Sequence, residues 1–277
     1  GYLRATTVAE SADAFLIAVP TPFKAGHEPD LSYIESASKA IAPVLKAGDL
    51  VILESTSPVG ATEQMAAWLA EARPDLTFPQ TAGEASDIRI AHCPERVLPG
   101  HVLSELVHND RVIGGMTPRC SEVAASLYKI FVEGECVITN ARTAEMCKLT
   151  ENSFRDVNIA FANVLQPGPG VGGHCIAVDP WFIVSQAPEQ SRLIRTAREV
   201  NDSKPSWVLA KVSSLIDDLI ASTGKTRSSI RIACLGLAFK ANIDDLRESP
   251  ALAITAAIAQ QFPGQVAAVE PHIDAVP

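Results

Sequence analysis

"DLVILESTSPVGATEQMAAWLAEA", residues 49–72, decides how the chain folds. Residues 49–56 hold an unbroken apolar run, Leu50 to Leu53, with no alternation of polar and apolar positions. A run of that kind reads as a strand covered on both faces, the mark of a parallel sheet. Beyond it, apolar residues recur at helical spacing through Ala72, with Ser57 in the N-cap position and Pro58 in the first turn. Strand, turn and helix in this order make one unit of an open α/β sheet. Such sheets bind ligands outside the carboxyl ends of their strands, where Ser55 and Thr56 fall.

The same alternation extends outward. "AFLIAVP" (14–20) reads as a buried strand ending in a Pro-Thr-Pro turn that contains Thr21, and Asp30 reads as the N-cap of the helix that follows. Residues 88–95, 111–115 and 136–139 read as further strands, with a helix near 118–132. Residues 141–165 form one long helical pattern without Gly or Pro, and 188–221 are largely helical with a break expected at Pro205. "STGKTRSS" (222–229) reads as a linker. After it, strand patterns at 228–240 and 266–270 flank a helix capped by Ser249 with Pro250 at its first position. The expected fold class is α/β, with two Rossmann-like doubly wound domains (1–140 and 223–277) joined by a central helical region (141–222). No G-x-G-x-x-G occurs before residue 20, so the N-terminal part of the first domain is expected to be missing. Residues are also expected to be missing at the 165/166 junction, and the second domain stops before it closes.

Composition excludes some functions. The net charge is -9 over 277 residues, with 20% charged, which argues against nucleic acid or an anionic membrane as main partner. No apolar run approaches the length of a membrane span, and the first residues lack the basic and apolar regions of a signal peptide. Six cysteines without a C-x-x-C pair point to free thiols in a reducing cytoplasm, and no Cys/His spacing suits a metal.

Five stretches carry residues suited to chemistry. Thr56 follows a strand end, with capping of the next helix as the plain alternative. Glu95 and Arg96 follow another strand, on the ligand side, although residue type alone favours an exposed loop ion pair. Lys148 and Asn152 lie four apart on one helix face, able to hold an oxyanion and a water, although Glu145 is spaced to pair with Lys148. "GPGVGGHCIAVDP" (168–180) is the strongest signal. Its glycines, Gly172 and Gly173 among them, permit close backbone approach. A thiol flanked by Gly-Gly-His reads as reactive, with His174 or Lys148 to lower its pKa and Asp179 to orient a water or base. Lys240 and Arg247, before a helix N-terminus, have the form of an anion site, unless Asp244, Asp245 and Glu248 neutralise them.

Taken in order, "VPTP", "STSPVG", "CPE", "AEMCKLTENSF", "GPGVGGHCIAVDP" and "GLAFKANIDDLRESPA" resemble the UDP-glucose/GDP-mannose dehydrogenase family from end to end. "GGHCIAVDPWF" is similar to the branch of that family acting on N-acetylhexosamines. The resemblance implies NAD as cofactor and a four-electron oxidation of a UDP-sugar at C6. UDP-N-acetyl-D-mannosamine is the leading sugar, for surface polysaccharide; UDP-N-acetylglucosamine and UDP-glucose are alternatives. A sugar-nucleotide-binding module without NAD is the alternative from another class.

It further implies Cys175 as the nucleophile, Lys148 and Asn152 as oxyanion and water holders, and Asp179 as support for that network. Glu95 matches the acid/base residue, and Thr56 the hydroxyl near the nicotinamide. NAD contacts are implied for Thr21, Thr56 and Arg247. Substrate contacts are implied for Glu95, Arg96, Lys148, Asn152, Gly172, Gly173, His174 and Lys240, and for Arg198 across a homodimer built on the central helices. Pro99 stands where the glucose branch has a second glutamate.

Overall fold

The computed structural model describes residues 4–97, 102–162, 168–173, 175–240 and 243–273. The expectations placed on Pro99, on His174 and on the 165/166 junction lie outside them. The chain divides into two compact units, Gly1–Glu151 and Asn152–Pro277.

The first unit is built on five strands: β1 (Ala14–Ile17), β2 (Leu50–Leu53), β3 (Arg89–His92), β4 (Arg111–Gly115) and β5 (Cys136–Asn140), in that spatial order. β1, β2 and β3 are mutually parallel, as are β4 and β5, while β3 and β4 pair antiparallel. All four residues of β2 are buried, as the unbroken apolar run predicts. Because side chains alternate along a strand, Val51 and Leu53 join a cluster with Ile34, Met65 and Leu69. Leu50 and Ile52 join another with Ile113, Ala124 and Tyr128. Helices α1 (Ser32–Ile41), α2 (Ala61–Ala72), α3 (Pro79–Ala82), α4 (Val102–His108) and α5 (Pro118–Tyr128) complete this unit, with the start of α6 (Ala141–Ala162).

The strands are shorter than the apolar runs, since their carboxyl ends leave the sheet as loops. Two expected caps also move. Asp30 lies one residue before the N-cap of α1, although its Oδ1 accepts the Ser32 N–H at 3.0 Å. Ser57 does not cap α2. Its hydroxyl donates to the Ser55 carbonyl at 2.6 Å, and the Ala61 N–H bonds the Pro58 carbonyl at 3.1 Å. That tight turn shifts the helix start to Ala61.

The second unit holds the remainder of α6, then α7 (Asp179–Gln186), α8 (Arg192–Thr223), β6 (Ile232–Leu235), α9 (Pro250–Gln261) and β7 (Val266–Val269). β6 and β7 pair in parallel, and Ile216, Ile230, Ile254, Ile258 and Phe262 form the core. Ser249 caps α9 as read, its Oγ accepting the Leu252 N–H at 3.3 Å. The break expected at Pro205 does not occur: α8 runs through it. Proline forfeits one helical bond, at about 3 kcal/mol. Buried anchors on either side, Ala197, Arg198 and Asn201 before it and Ile216 after, keep the helix in one piece.

His92 ends β3 fully buried, and neither ring nitrogen has a hydrogen-bond partner among the described residues. Burial holds its pKa down, to about 3. An unfolded histidine titrates near 6.5, so between about 6.5 and 3 the unfolded chain binds one more proton. Stability should therefore fall with falling pH in that window, by up to about 1.4 kcal/mol per pH unit. Urea unfolding of the parent and of His92→Leu at pH 7 and pH 4.5 checks this. The variant should lose part of the pH slope, and equal slopes would contradict the account.

Candidate active site

In the first unit, the parallel direction of β1 and β2 brings their carboxyl ends to one sheet edge. Two hydroxyls stitch the loops there. Ser55 Oγ accepts the Val19 N–H and donates to the Val19 carbonyl, both at 2.7 Å. Thr21 Oγ1 donates to the Thr56 carbonyl at 2.5 Å. Thr21 and Thr56 are thus neighbours, and the Thr56 hydroxyl makes no hydrogen bond among the described residues.

Glu145 was spaced to pair with Lys148, but the structure gives it another task. Its carboxylate accepts the Gly60 N–H at 2.7 Å, the Thr62 N–H at 2.8 Å and the Thr62 hydroxyl at 2.6 Å. Glu145 therefore caps α2 from another helix, satisfying the amides that Ser57 leaves open. Burial raises its pKa, and the bonds from Thr62 and Gly60 oppose that shift. Lys148, one turn further on, is 9% exposed and has no ion pair among the described residues. Nor do Glu95 and Arg96 pair with each other: Arg96 Nη2 reaches Glu151 Oε1 at 2.5 Å, and Glu95 accepts the Val97 N–H. A 560 Å³ groove beside α6, lined by Val59, Val112, Arg142, Met146, Cys147 and Thr150 among others, includes none of the predicted site residues.

In the second unit, Cys175 heads the turn that becomes α7. Its carbonyl accepts the Val178 N–H at 3.0 Å and the Asp179 N–H at 2.8 Å. Asp179, buried at the helix start, accepts a hydrogen bond from Asn152 Nδ2. The glycines before Cys175 are explained by the chain itself. A Cβ on Gly172 would lie 2.6 Å from the Glu248 carbonyl and from Phe239, and Gly173 has φ +84° beside the Phe239 ring. The close backbone approach is thus to Phe239, Glu248 and Pro250, and the Gly173 N–H donates to the Arg247 carbonyl at 3.3 Å.

Arg247 folds onto Asp245, Nη2 to Oδ2 at 2.6 Å. That bond raises its pKa, with a smaller contribution from the charge of Cys175. Lys240 is exposed. Loop amides beside the expected anion site are already taken: Glu270 Oε2 accepts from Leu237 at 2.7 Å and Ala238 at 3.0 Å. Arg198, expected to reach a sugar across a dimer, is instead fully buried and bonded within its own unit. Nη1 donates to Asp156 Oδ1 at 2.6 Å and to the Ile176 carbonyl at 3.2 Å, and Nη2 to Asp202.

Asp156 and Asn201 were not singled out from sequence, although Asp156 follows Asn152 by four on α6. Among the described residues no group of three or more His, Cys, Asp or Glu could hold a metal, and no helix is long and apolar enough to cross a membrane.

Comparison with known proteins bears on these arrangements. Profiles of the UDP-glucose/GDP-mannose dehydrogenase family match in chain order: its NAD binding domain over residues 1–132, its central domain over 163–203 and its UDP binding domain over 233–277. UDP-N-acetyl-D-mannosamine dehydrogenase of Salmonella typhi is 64% identical over 304 aligned positions, covering all of this chain and 72% of that protein. NDP-N-acetyl-D-galactosaminuronic acid dehydrogenase of Ralstonia solanacearum is 63% identical, with 70% of its length covered. The solved UDP-D-ManNAc dehydrogenase of Pyrococcus horikoshii superposes with a TM-score of 0.82 at 38% identity, over 95% of this chain and 66% of that one.

Removing the cap that Glu145 supplies should leave the Gly60 and Thr62 amides unpaired, at a cost of about 1–3 kcal/mol. Glu145→Ala should therefore lower the melting temperature, while Glu63→Ala, an exposed carboxylate in the same helix turn, should change it little. Equal melting temperatures for the parent and Glu145→Ala would refute the cap.

Proposed function

Because the chain belongs to the UDP-glucose/GDP-mannose dehydrogenase family, we propose that it oxidises UDP-N-acetyl-D-mannosamine at C6 to the uronate. The reaction removes four electrons with NAD as acceptor and supplies N-acetylmannosaminuronate for surface polysaccharide. One local arrangement supports this reading above the others: Cys175 heads a turn whose helix begins at Asp179, and Asp179 is hydrogen-bonded to Asn152. The sugar assignment rests on the 64% identity to relatives that bear that name.

Cys175 adds its sulfur to the C6 aldehyde left by the first two-electron oxidation, giving a thiohemiacetal. Loss of a second hydride leaves a thioester, and water returns the thiol and releases the carboxylate. Both hydrides go to NAD when it is bound. The strand-end setting fits a dinucleotide: Thr21 and Thr56 lie together at the ligand edge of β1 and β2, with the Thr56 hydroxyl open. Arg247 is assigned to the same cofactor.

Lys148 stabilises the oxyanion, Asn152 helps hold it with the attacking water, and Asp179 fixes the Asn152 amide. Glu95 moves the proton in thioester hydrolysis. Gly172, Gly173, His174, Arg96 and Lys240 are assigned to the UDP-sugar.

The proposed domains are 1–140 for NAD, 141–222 for the central helices and 223–277 for the UDP moiety. Leu193, Trp207, Leu215 and Leu219 leave apolar surface exposed along α8, which supports a homodimer through the central helices. Six free thiols support a cytoplasmic setting. The relatives' 304 aligned positions exceed the 277 residues of this chain by 27, and we assign that difference to the 165/166 junction.

The test is turnover of the intact enzyme with NAD and UDP-N-acetyl-D-mannosamine, following NADH. The reading predicts two NADH per sugar, and a Cys175→Ser variant that binds UDP-sugar but gives no uronate. One NADH per sugar, or full turnover by Cys175→Ser, would overturn it.

A further inference from the structure

We propose that Arg198 is a positioning residue for the Cys175 turn, acting through the Ile176 carbonyl. The inference rests on the reading of Cys175 as nucleophile, and its geometric part stands without it. Ile176 directly follows Cys175. In the helical turn that leads into α7, the natural partner of the Ile176 carbonyl is the N–H four residues on. Residue 180 is proline, at the first turn of α7, and has no N–H to give. Arg198 Nη1 supplies the missing donor from α8, at 3.2 Å.

The arginine is itself held. Asp156 of α6, with no exposed surface, takes Arg198 Nη1 at 2.6 Å and Asn201 Nδ2 at 2.8 Å. Asp202 takes Nη2. One turn earlier on α6, Asn152 holds the Asp179 side chain. The segment from Cys175 to Asp179 is thus fastened twice to the same helix: directly by Asn152, and from Asp156 through Arg198.

Stability alone is a poor explanation of such a buried pair. Replacing one with apolar residues of similar volume is often neutral or stabilising. This one also leaves Arg198 Nε and Asp156 Oδ2 without partners among the described residues. What an apolar pair would not provide is a donor for Ile176.

The test compares the parent with Arg198→Met/Asp156→Leu, which removes the charge pair together, and with the same variant carrying Pro180→Ala, which restores a backbone N–H opposite Ile176. The readout is the rate of iodoacetamide alkylation at Cys175 from pH 6 to 9, located by peptide mass, alongside kcat and KM. The double variant should alkylate Cys175 about tenfold differently from the parent, with a shifted pH midpoint, since misplacing a reacting group by about 1 Å costs up to about a hundredfold. Cys136, Cys147 and Cys234 should react as before, kcat should fall, and KM for UDP-sugar should hold within about twofold. Pro180→Ala should then bring Cys175 back towards the parent rate.

Parent-like alkylation in the double variant, or no recovery with Pro180→Ala, would overturn the proposal. If the double variant fails to fold, Arg198→Lys decides. It keeps the charge beside Asp156 but lacks the planar fork that serves Asp156, Asp202 and Ile176 together, and it should shift Cys175 reactivity in the same direction; parent-like alkylation in Arg198→Lys would overturn the proposal. Because alkylation needs neither NAD nor sugar, a parent without turnover would count against the proposed reaction and leave this test standing.

Discussion

A helix can present a row of side chains to one face only if they are spaced three or four apart, and α6 does so with polar residues where apolar ones are usual. Glu145, Lys148, Asn152 and Asp156 follow each other at spacings of three, four and four, and all four are buried. Glu145 caps α2 in the first unit; Asn152 and Asp156 hold the Cys175 turn in the second. Each of these partners loses its placement if the row is shifted by a single residue. Lys148 is the member of the row whose side chain makes neither a hydrogen bond nor an ion pair among the described residues.

The fold was legible wherever burial alone decides it. The apolar run at 50–53 became a strand covered on both faces, and the α9 cap at Ser249 formed as read. The misreadings share a cause: a local signal met a tertiary partner that spacing does not reveal. Ser57 looks like a cap, yet Glu145, 88 positions away in sequence, competes for the same amides. Pro205 looks like a break, yet buried anchors on both sides of it hold α8 through the lost hydrogen bond.

The site was legible in its residue types and less so in their employment. The glycines before Cys175 announce close approach, and the structure shows that approach made to Phe239, Glu248 and Pro250 of the same unit. Arg247 announces an anion and is found on Asp245, while Glu270 occupies amides that an anion would seek. Arg198 drew attention as a cation, yet its geometry makes it a donor to the backbone behind the thiol. In each case the sequence shows the functional group and the fold chooses its partner.

Under the proposed function, all of this serves one covalent event at Cys175. Rapid acid quenching of the intact enzyme during turnover of UDP-N-acetyl-D-mannosamine with NAD, followed by peptide mass analysis, tests that event most directly. The account predicts a sugar-nucleotide adduct on the peptide containing Cys175, removed by hydroxylamine as a thioester is. Accumulation of uronate with Cys175 unmodified at every time point, or with the adduct on another residue, would contradict it.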